Sequence, residues 1–467
     1  MLRKGLAGLG IMEAKKTVTT PIHDLRSYLQ ALEAAGQLLR VRQPANLVHE
    51  LADVAATAAR QAGKAVLFEQ VAGAQVGWPI FANAVVSQAL AALALGCAPV
   101  EVPQVMGRAL DPGRAVAPRQ GAEAVWKQNV LTGDQIDIRW LPIPTHGAND
   151  GGPFITGGVA VTRDPVSGRG NLSYNRMQVL GPHTFGFNVN EWRHVMQFYK
   201  VQQAKDQPLQ AAIAIGLDPA IMIAAGARYE GDELCIAGAI RGEGVPVARG
   251  VTVDIDIPAE AELVIEGYLP PHERRAEGPL AEFHGYYGEL WESPVFEVTA
   301  IAYRSEPIYQ TIVPGWAEHV YLGNILPREP LLLRYVQHVS KNVTALHIPA
   351  YGNGFSAIVQ LRKSNPGEPK NVALAAFTAH VNIKQVIVVD PDVNLFDPAD
   401  VLWALTNRVD WSRDYFTVPG AQGHEMDPTA DTRGVHTKIG IDATYKPERR
   451  NYGDRVTYPD VDLSRYI

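Results

Sequence analysis

The chain has 467 residues, of which 46% are hydrophobic and 19% charged, and its formal net charge is −7 at pH 7. That is ample apolar material for several cores, and an acidic balance without a Lys/Arg block argues against nucleic acid as a partner. Only Cys97 and Cys235 are present, with no CxxC, so neither a disulfide scaffold nor a thiolate zinc site is supported.

Met1 to Met12 is Gly-rich and lacks an apolar signal core, so residues 1–20 are expected to form a disordered leader, with Met12 as an alternative start. No apolar run is long enough to span a bilayer, and the expectation is a cytoplasmic protein with no membrane partner.

Residues 21–124 read as an N-terminal α/β domain. Asp24 caps an expected helix with Leu25, Tyr28, Leu29 and Leu32 on one face and Gly36 at its end. Leu47, Leu51, Val54, Ala55 and Ala58 repeat the spacing up to Gly63. Ala65–Phe68 and Pro79–Ala82 read as strands, Ser87–Leu95 as a helix, and Pro103–Gln120 as a connection.

Residues 125–312 change character. Alternation at Ile136/Ile138/Trp140, Val159/Val161, Val251/Val253/Ile255/Ile257 and Phe296/Val298/Ala300/Ala302 predicts many strands and a closed or partly closed barrel. Helical insertions are expected to start near Asn190 and near Asp218. Residues 313–467 return to α/β. Helices are expected over Arg328–Val339 and Val372–His380, and strands over Val343–Ile348 and Lys384–Asp390. A last helix is capped by Asp397, with Pro398 in its first turn. The tail after Arg433 shows little period and is expected to wrap a neighbouring domain or subunit.

Two stretches carry chemistry. Ala276–Gly288 sets Glu277 and Glu282 either side of a Gly278-Pro279 turn, where two carboxylates can take different protonation states if their surroundings differ. The plainer reading is a surface turn with two solvated glutamates. Upstream, Asn171, Ser173 and Asn175 face one way along an expected strand, and Tyr174 and Arg176 the other. Polar residues on both faces suggest a strand end lining a cavity, or else a wet edge. His194 falls in an amphipathic helix pattern, and Glu233 stands at a helix start where the dipole alone favours a carboxylate. If Asn171, His194 and Glu233 meet, they make an oxygen/nitrogen site suited to Mg or Mn better than to zinc.

These residues resemble the UbiD family of prenylated-flavin-dependent decarboxylases. The resemblance rests on Asn171-Leu172-Ser173-Tyr174-Asn175-Arg176 with His194 and Glu233 downstream, on Arg274 to Phe283, and on Lys384 with Val386 to Asp390 and Val401 to Arg408. It implies a split barrel of flavin-reductase type over 125–312 and a dimerising C-terminal α/β domain over 313–467. It implies prenylated FMN from a separate flavin prenyltransferase, with Mn2+ (or Mg2+) held by Asn171, His194 and Glu233, and K+ nearby. Ser173 and Lys384 would meet the cofactor phosphate, Tyr174 and Asn175 would lie in the cofactor site, and Arg176, Glu277 and Glu282 would be catalytic.

In the family, a covalent flavin–substrate adduct takes up the electrons as CO2 leaves. Glu282 is then expected to donate the proton, and Glu277 to stay ionised against Arg176. His319 and Arg328 lie in a segment similar to that of furan-dicarboxylate decarboxylases, as substrate contacts. The expected reaction is reversible decarboxylation of an aromatic or heteroaromatic acid, with 2,5-furandicarboxylate to 2-furoate first and pyrrole, phenolic and cinnamic-type acids open. The expected assembly is a homodimer or higher homo-oligomer. An alternative class is a flavin reductase using FMN and NAD(P)H, although no GxGxxG follows a strand. A non-catalytic flavin or metal carrier would leave the Arg–Glu–Glu set without a task.

Overall fold

The computed structural model of the chain describes residues 21–467 apart from 192, 316, 453, 457, 459, 460, 463, 464 and 467. The expected leader, residues 1–20, lies outside the described residues. Helix Leu25–Ala34 begins where Asp24 accepts the Ser27 amide, and its apolar face, Leu25, Tyr28, Leu29 and Leu32, is buried. Helix Glu50–Ala62 stops at Gly63 in a left-handed cap. The first sheet runs in the order Leu38–Val41, Ala65–Phe68, Ile80–Ala82, Tyr309–Gln310. Its last strand arrives from the end of the central region and pairs parallel to Ile80–Ala82, tying the two regions together.

The expected connection Pro103–Gln120 instead starts inside a helix, Val102–Ala109. Pro103 lies in its first turn, where the missing N–H has no partner to lose, and Val102, Met106 and Ala109 are buried at helical spacing.

The central region is a curled ten-stranded sheet built on the long strand Trp291–Tyr303. Its path runs Phe154–Ile155, Met177–Val179, Thr184–Phe187, Trp291–Tyr303, Leu263–Leu269, Leu209–Ile215, Val159–Arg163, Gly170–Tyr174; Asn129–Thr132 and Arg274–Glu277 also pair with the long strand. The sheet has ends, so it is a half-barrel. The Gly170–Tyr174 end is covered by helices Pro219–Gly226 and Glu233–Arg241.

Of the expected alternating stretches, one forms no strand and another pleats only at its end. Ile138–Trp140 is a 3-10 turn, because the Asp137 side chain takes the Arg139 amide, and Ile136 and Ile138 are buried by consecutive turns rather than by pleating. Residues 251–255 form no ladder because buried Glu266 accepts the amides of Val251 (2.8 Å) and Thr252 (2.6 Å). Those donors are satisfied without a partner strand, so only Asp256–Pro258 pairs, with Val247–Arg249.

The C-terminal sheet runs Val343–His347, Ser356–Leu361, Gln385–Val389, Val435–Asp442, Tyr415–Gln422. The chain after Arg433 is therefore not aperiodic: Val435–Asp442 is an interior strand. Its alternation was hidden by two buried polar residues. Lys438 Nζ donates to the Val381 and Ile383 carbonyls, both at 2.8 Å, and His436 Nδ1 lies 2.7 Å from Asp427 Oδ2.

Candidate active site

Strand Arg274–Glu277 pairs with the start of the long strand, Glu277 opposite Trp291, and so delivers Glu277 at the sheet edge. The chain then turns at Gly278, whose φ is +107 and whose amide donates to Gln178 Oε1 at 2.8 Å. A Cβ there would sit 2.8 Å from the Glu289 carbonyl oxygen and 3.3 Å from Arg176 Nη2, so only glycine fits. Residues 280–288 fold back on themselves: Gly288 N donates to Leu280 O, and Glu282 N to Tyr286 O. This small hairpin brings Glu282 back over Arg176.

Arg176 is the hub. Its Nη2 reaches Glu277 Oε1 at 2.8 Å, its Nε reaches Glu277 Oε2 at 3.1 Å, and its Nη1 reaches Glu282 Oε1 at 2.5 Å. One guanidinium fork thus spans two carboxylates. The two acids differ in what else surrounds them. Glu277 is fully buried and also accepts from Asn188 Nδ2 (2.5 Å) and Ser293 Oγ (3.3 Å), so every group around it is a donor. Among the described residues Glu282 has Arg176 as its one side-chain partner. Burial pushes its carboxyl up to about 6, opposed by Arg176 and assisted by the charge of Glu277.

The cavity above this pair is lined by Tyr174, Asn175, Arg176, Glu282 and His319, among others. The Tyr174 hydroxyl is buried without a hydrogen-bond partner among the described residues, which suits a wall that meets a ligand. His319 Nδ1 accepts the Gly315 amide at 3.2 Å, and burial, with His284 and Arg176 nearby, lowers it to about 4. It is therefore a neutral imidazole whose Nε2–H can donate.

Arg328 stands at the start of helix Glu329–Val339 and is not among the cavity-lining residues. Burial and the neighbouring charge of Arg193 lower it to about 9, and its Nη1 is buried with no hydrogen-bond partner among the described residues. His380 is lowered to about 3 and His424 to about 4, by burial first and then by Arg328 in both cases, Arg228 also acting on His380 and Arg193 on His424.

Of the expected ion ligands, Asn171 and His194 are together: Asn171 Oδ1 is 3.1 Å from His194 Nδ1. His194 is the first residue of helix His194–Gln203, not an interior one. Glu233 opens helix Glu233–Arg241 and accepts the Leu172 amide at 2.8 Å, which places it beside Asn171 on the covered strand edge. Its burial drives the carboxyl up to about 8. An acid so desolvated calls for a cation, and an amide oxygen, an imidazole and a carboxylate are hard donors that fit Mg2+ or Mn2+. Among the described residues no group of three His, Cys, Asp or Glu offers a metal site, and the expected set reaches three donors only by counting Asn171.

Ser173 Oγ is tied to Asn175 Oδ1 at 2.8 Å, and Asn175 Nδ2 to the Asn188 carbonyl at 2.9 Å. Lys384 is placed differently from Ser173. It pairs with Asp427 (2.7 Å) and Thr429 (3.0 Å) and lies over the Phe355 ring, next to Met426 of the cavity wall. Sequence reasoning missed Asn188, Ser293, Gln178 and the Arg193–His380–His424 group. Gln178 and Arg193 lie beside Arg176 and His194 but carry no sequence mark of their role, and the others come from separate loops and strands with no spacing relation to the motifs.

Three family models match the chain in order. They describe the 3-octaprenyl-4-hydroxybenzoate carboxy-lyase N-terminal domain over residues 29–110, its Rift-related domain over 119–317 and its C-terminal domain over 321–443. Anhydromevalonate phosphate decarboxylase of Methanosarcina mazei is 31% identical over 441 residues, 93% of this chain and 99% of that protein. The UbiD-class enzyme HmfF from Pelotomaculum thermopropionicum, solved in complex with FMN, has a TM-score of 0.89 at 36% identity, over 95% of this chain and 100% of that one. An evolved dimeric form of HmfF in complex with prFMN has a TM-score of 0.85 at 33% identity, over the same shares. With all three domains matched in order, and the Arg176–Glu277–Glu282 cluster facing a cavity lined from the second and third of them, the chain belongs to the UbiD family of carboxy-lyases.

Proposed function

We propose that the protein is a prenylated-FMN-dependent decarboxylase of an aromatic or heteroaromatic acid carrying a second anionic group, with 2,5-furandicarboxylate as the lead substrate and 2-furoate and CO2 as products. The observation that carries this reading is Glu282, an acid raised to about 6 at a cavity wall and tethered by Arg176. It can hold a proton near neutral pH and release it to a carbon atom.

When bound, prenylated FMN supplies the electron sink that no side chain here can provide. Asn171, His194 and Glu233 would hold a divalent ion, Mn2+ or Mg2+, against its phosphate, with K+ alongside; Ser173, Tyr174, Asn175 and Lys384 would line its site. Leu280 and Phe283 would supply an apolar wall near Glu282. Arg176 orients Glu282 and balances Glu277. A flavin prenyltransferase would supply the cofactor. We read 21–124, 125–312 and 313–467 as the N-terminal, split-barrel and C-terminal units of a cytoplasmic homodimer or larger homo-oligomer; no single helix among the described residues is long and apolar enough to cross a membrane.

The second anionic group is argued from His319 and Arg328. Arg328 brings a buried N–H that has no hydrogen-bond partner among the described residues, beside the charge of Arg193, an arrangement that favours an anion. Arg328→Met is expected to weaken binding of a dianionic acid about tenfold or more, the scale of one charged hydrogen bond. A monocarboxylic acid of the same ring should be nearly unaffected, and competitive inhibition constants for the two would check it. Glu233→Ala is expected to lose FMN and divalent-ion occupancy first, by at least about tenfold, as read by flavin absorbance and metal analysis of the purified protein.

The flavin-reductase reading gains less support, because the Glu277/Glu282 pair has no task in hydride transfer. The test of the whole proposal is the chromophore and the gas. Protein co-expressed with a flavin prenyltransferase should yield prenylated FMN by mass spectrometry and should release CO2 from furan, pyrrole or phenolic acids. Plain FMN with NAD(P)H oxidation and no CO2 would sink it.

A further inference from the structure

Beneath the cavity lies a chain of hydrogen-bonding groups that the reaction scheme above does not use. Thr156, which follows strand Phe154–Ile155, lines the cavity. Its Oγ1 is 3.0 Å from Thr311 Oγ1, and Thr311 Oγ1 is 2.8 Å from His146 Nε2, which also lies 3.4 Å from Thr156 Oγ1. The Ile312 amide donates to the same Thr156 oxygen at 3.3 Å. His146 and Thr311 are buried, at 3% and 1% exposure, so nothing but protein and cavity can complete this chain.

The direction of the protons follows from His146. Among the described residues no group reaches its Nδ1, which is buried. Burial also keeps the ring neutral, lowering it to about 3, so one nitrogen carries hydrogen and the other does not. A buried N–H without an acceptor is rarer and more costly than an unused lone pair. The hydrogen therefore belongs on Nε2, which donates to Thr311. Thr311, now an acceptor from His146, has Thr156 as the remaining partner for its own hydrogen. Thr156 then accepts from Thr311 and from Ile312, and His146 Nε2, 3.4 Å away, carries hydrogen and cannot accept, so among the described residues the Thr156 O–H is left to point into the cavity. The opposite tautomer would reverse the chain and leave Thr156 presenting a lone pair.

We propose that His146, Thr311 and Thr156 form a directed relay that presents the Thr156 hydroxyl to the cavity as a neutral hydrogen-bond donor for an acceptor atom of the bound ligand. Thr156 is the residue that touches the ligand, and Thr311 and His146 are positioning residues. The acceptor is an oxygen or nitrogen with excess electron density, which a flavin ring edge and a substrate carboxylate both offer. The relay itself depends only on the protein. Its ligand role rests on the reading of the cavity as a flavin and acid site.

Nitrogen-15 NMR of the apoprotein tests the relay first. His146 should show a protonated Nε2 and an unprotonated Nδ1, unchanged between about pH 5 and 8; a protonated Nδ1 overturns the proposal. Thr156→Val tests the donor in the FMN-bound protein. If the acceptor is the flavin, the variant binds FMN about two- to tenfold more weakly, the size of one neutral hydrogen bond, and the visible band shifts. If it is the substrate, FMN binding and spectrum hold while KM for the acid rises by the same factor. Thr156→Ser should restore either property. Thr311→Val, which leaves Thr156 in place, should reproduce part of the Thr156→Val change. Wild-type behaviour of both valine variants in both assays overturns the ligand role. Should the wild-type chain bind no flavin and act on no acid, the assignment of function fails with the ligand role, and the tautomer still decides the relay.

Discussion

Glu282→Gln is expected to lose CO2 release by about 10²–10⁴-fold, the usual weight of a positioned general acid, while still binding FMN and the divalent ion. The substitution is nearly isosteric and keeps an oxygen to accept the Arg176 Nη1 hydrogen bond. What it removes is the exchangeable acid proton. Turnover by the wild-type enzyme should carry the same signature. Desolvation raises Glu282 to about 6, and the carboxyl must be protonated to donate, so kcat/KM should be full below that value and decline as pH rises through it. The Gln variant should lose that limb along with the rate. A variant that keeps wild-type turnover would show that the proton comes from elsewhere.

The contrast between the two glutamates explains how much of this site could be seen in the sequence. Glu277, Glu282 and the Gly-Pro turn are local, so their proximity to one another followed from chain geometry. Asn171 and Arg176 sit on one short polar segment, where a strand that carries polar side chains on both faces already suggested a cavity. The partners that make the two acids unequal are not local. Asn188 and Ser293 lie on separate elements and converge on Glu277 only when strands Thr184–Phe187 and Arg274–Glu277 come to flank the long strand Trp291–Tyr303. No spacing rule links them.

The same limit appears in the fold. The amphipathic helices were legible because propensity, caps and burial agreed, as at Asp24 and Asp397. Alternation failed where a side chain replaced the ladder, as Glu266 does for residues 251 and 252, and where buried charge interrupted it, as Lys438 does in an interior strand. Lys384 illustrates a further gap. Its motif was recognisable, but its ion pair with Asp427 comes from a loop that local pattern could not bring near.

Removal of Glu277 should show that it sets both the stability and the pH range of the site. Glu277→Ala takes the fully buried partner from an Arg176 that is itself only 9% exposed. Breaking a buried pair in this way leaves an uncompensated charge and is expected to destabilise the fold by about 3–5 kcal/mol, measurable by denaturant unfolding. The penalty should be smaller than that full range if Glu282 takes over as counter-ion. That rescue has a catalytic consequence whose sign is fixed. Glu277 now shares the guanidinium and adds its own negative charge, and both effects keep Glu282 protonated. Without Glu277, Arg176 pairs with Glu282 alone and the repulsion is gone, so the Glu282 carboxyl must fall. The declining limb of kcat/KM should move to lower pH, with activity at neutral pH lost and partly regained on acidification. An unchanged limb would mean that Glu277 does not control the acid. In the Glu277→Ala/Glu282→Gln double variant no carboxylate remains to serve Arg176, and the loss of stability should exceed the sum of the two single losses, because each acid partly substitutes for the other.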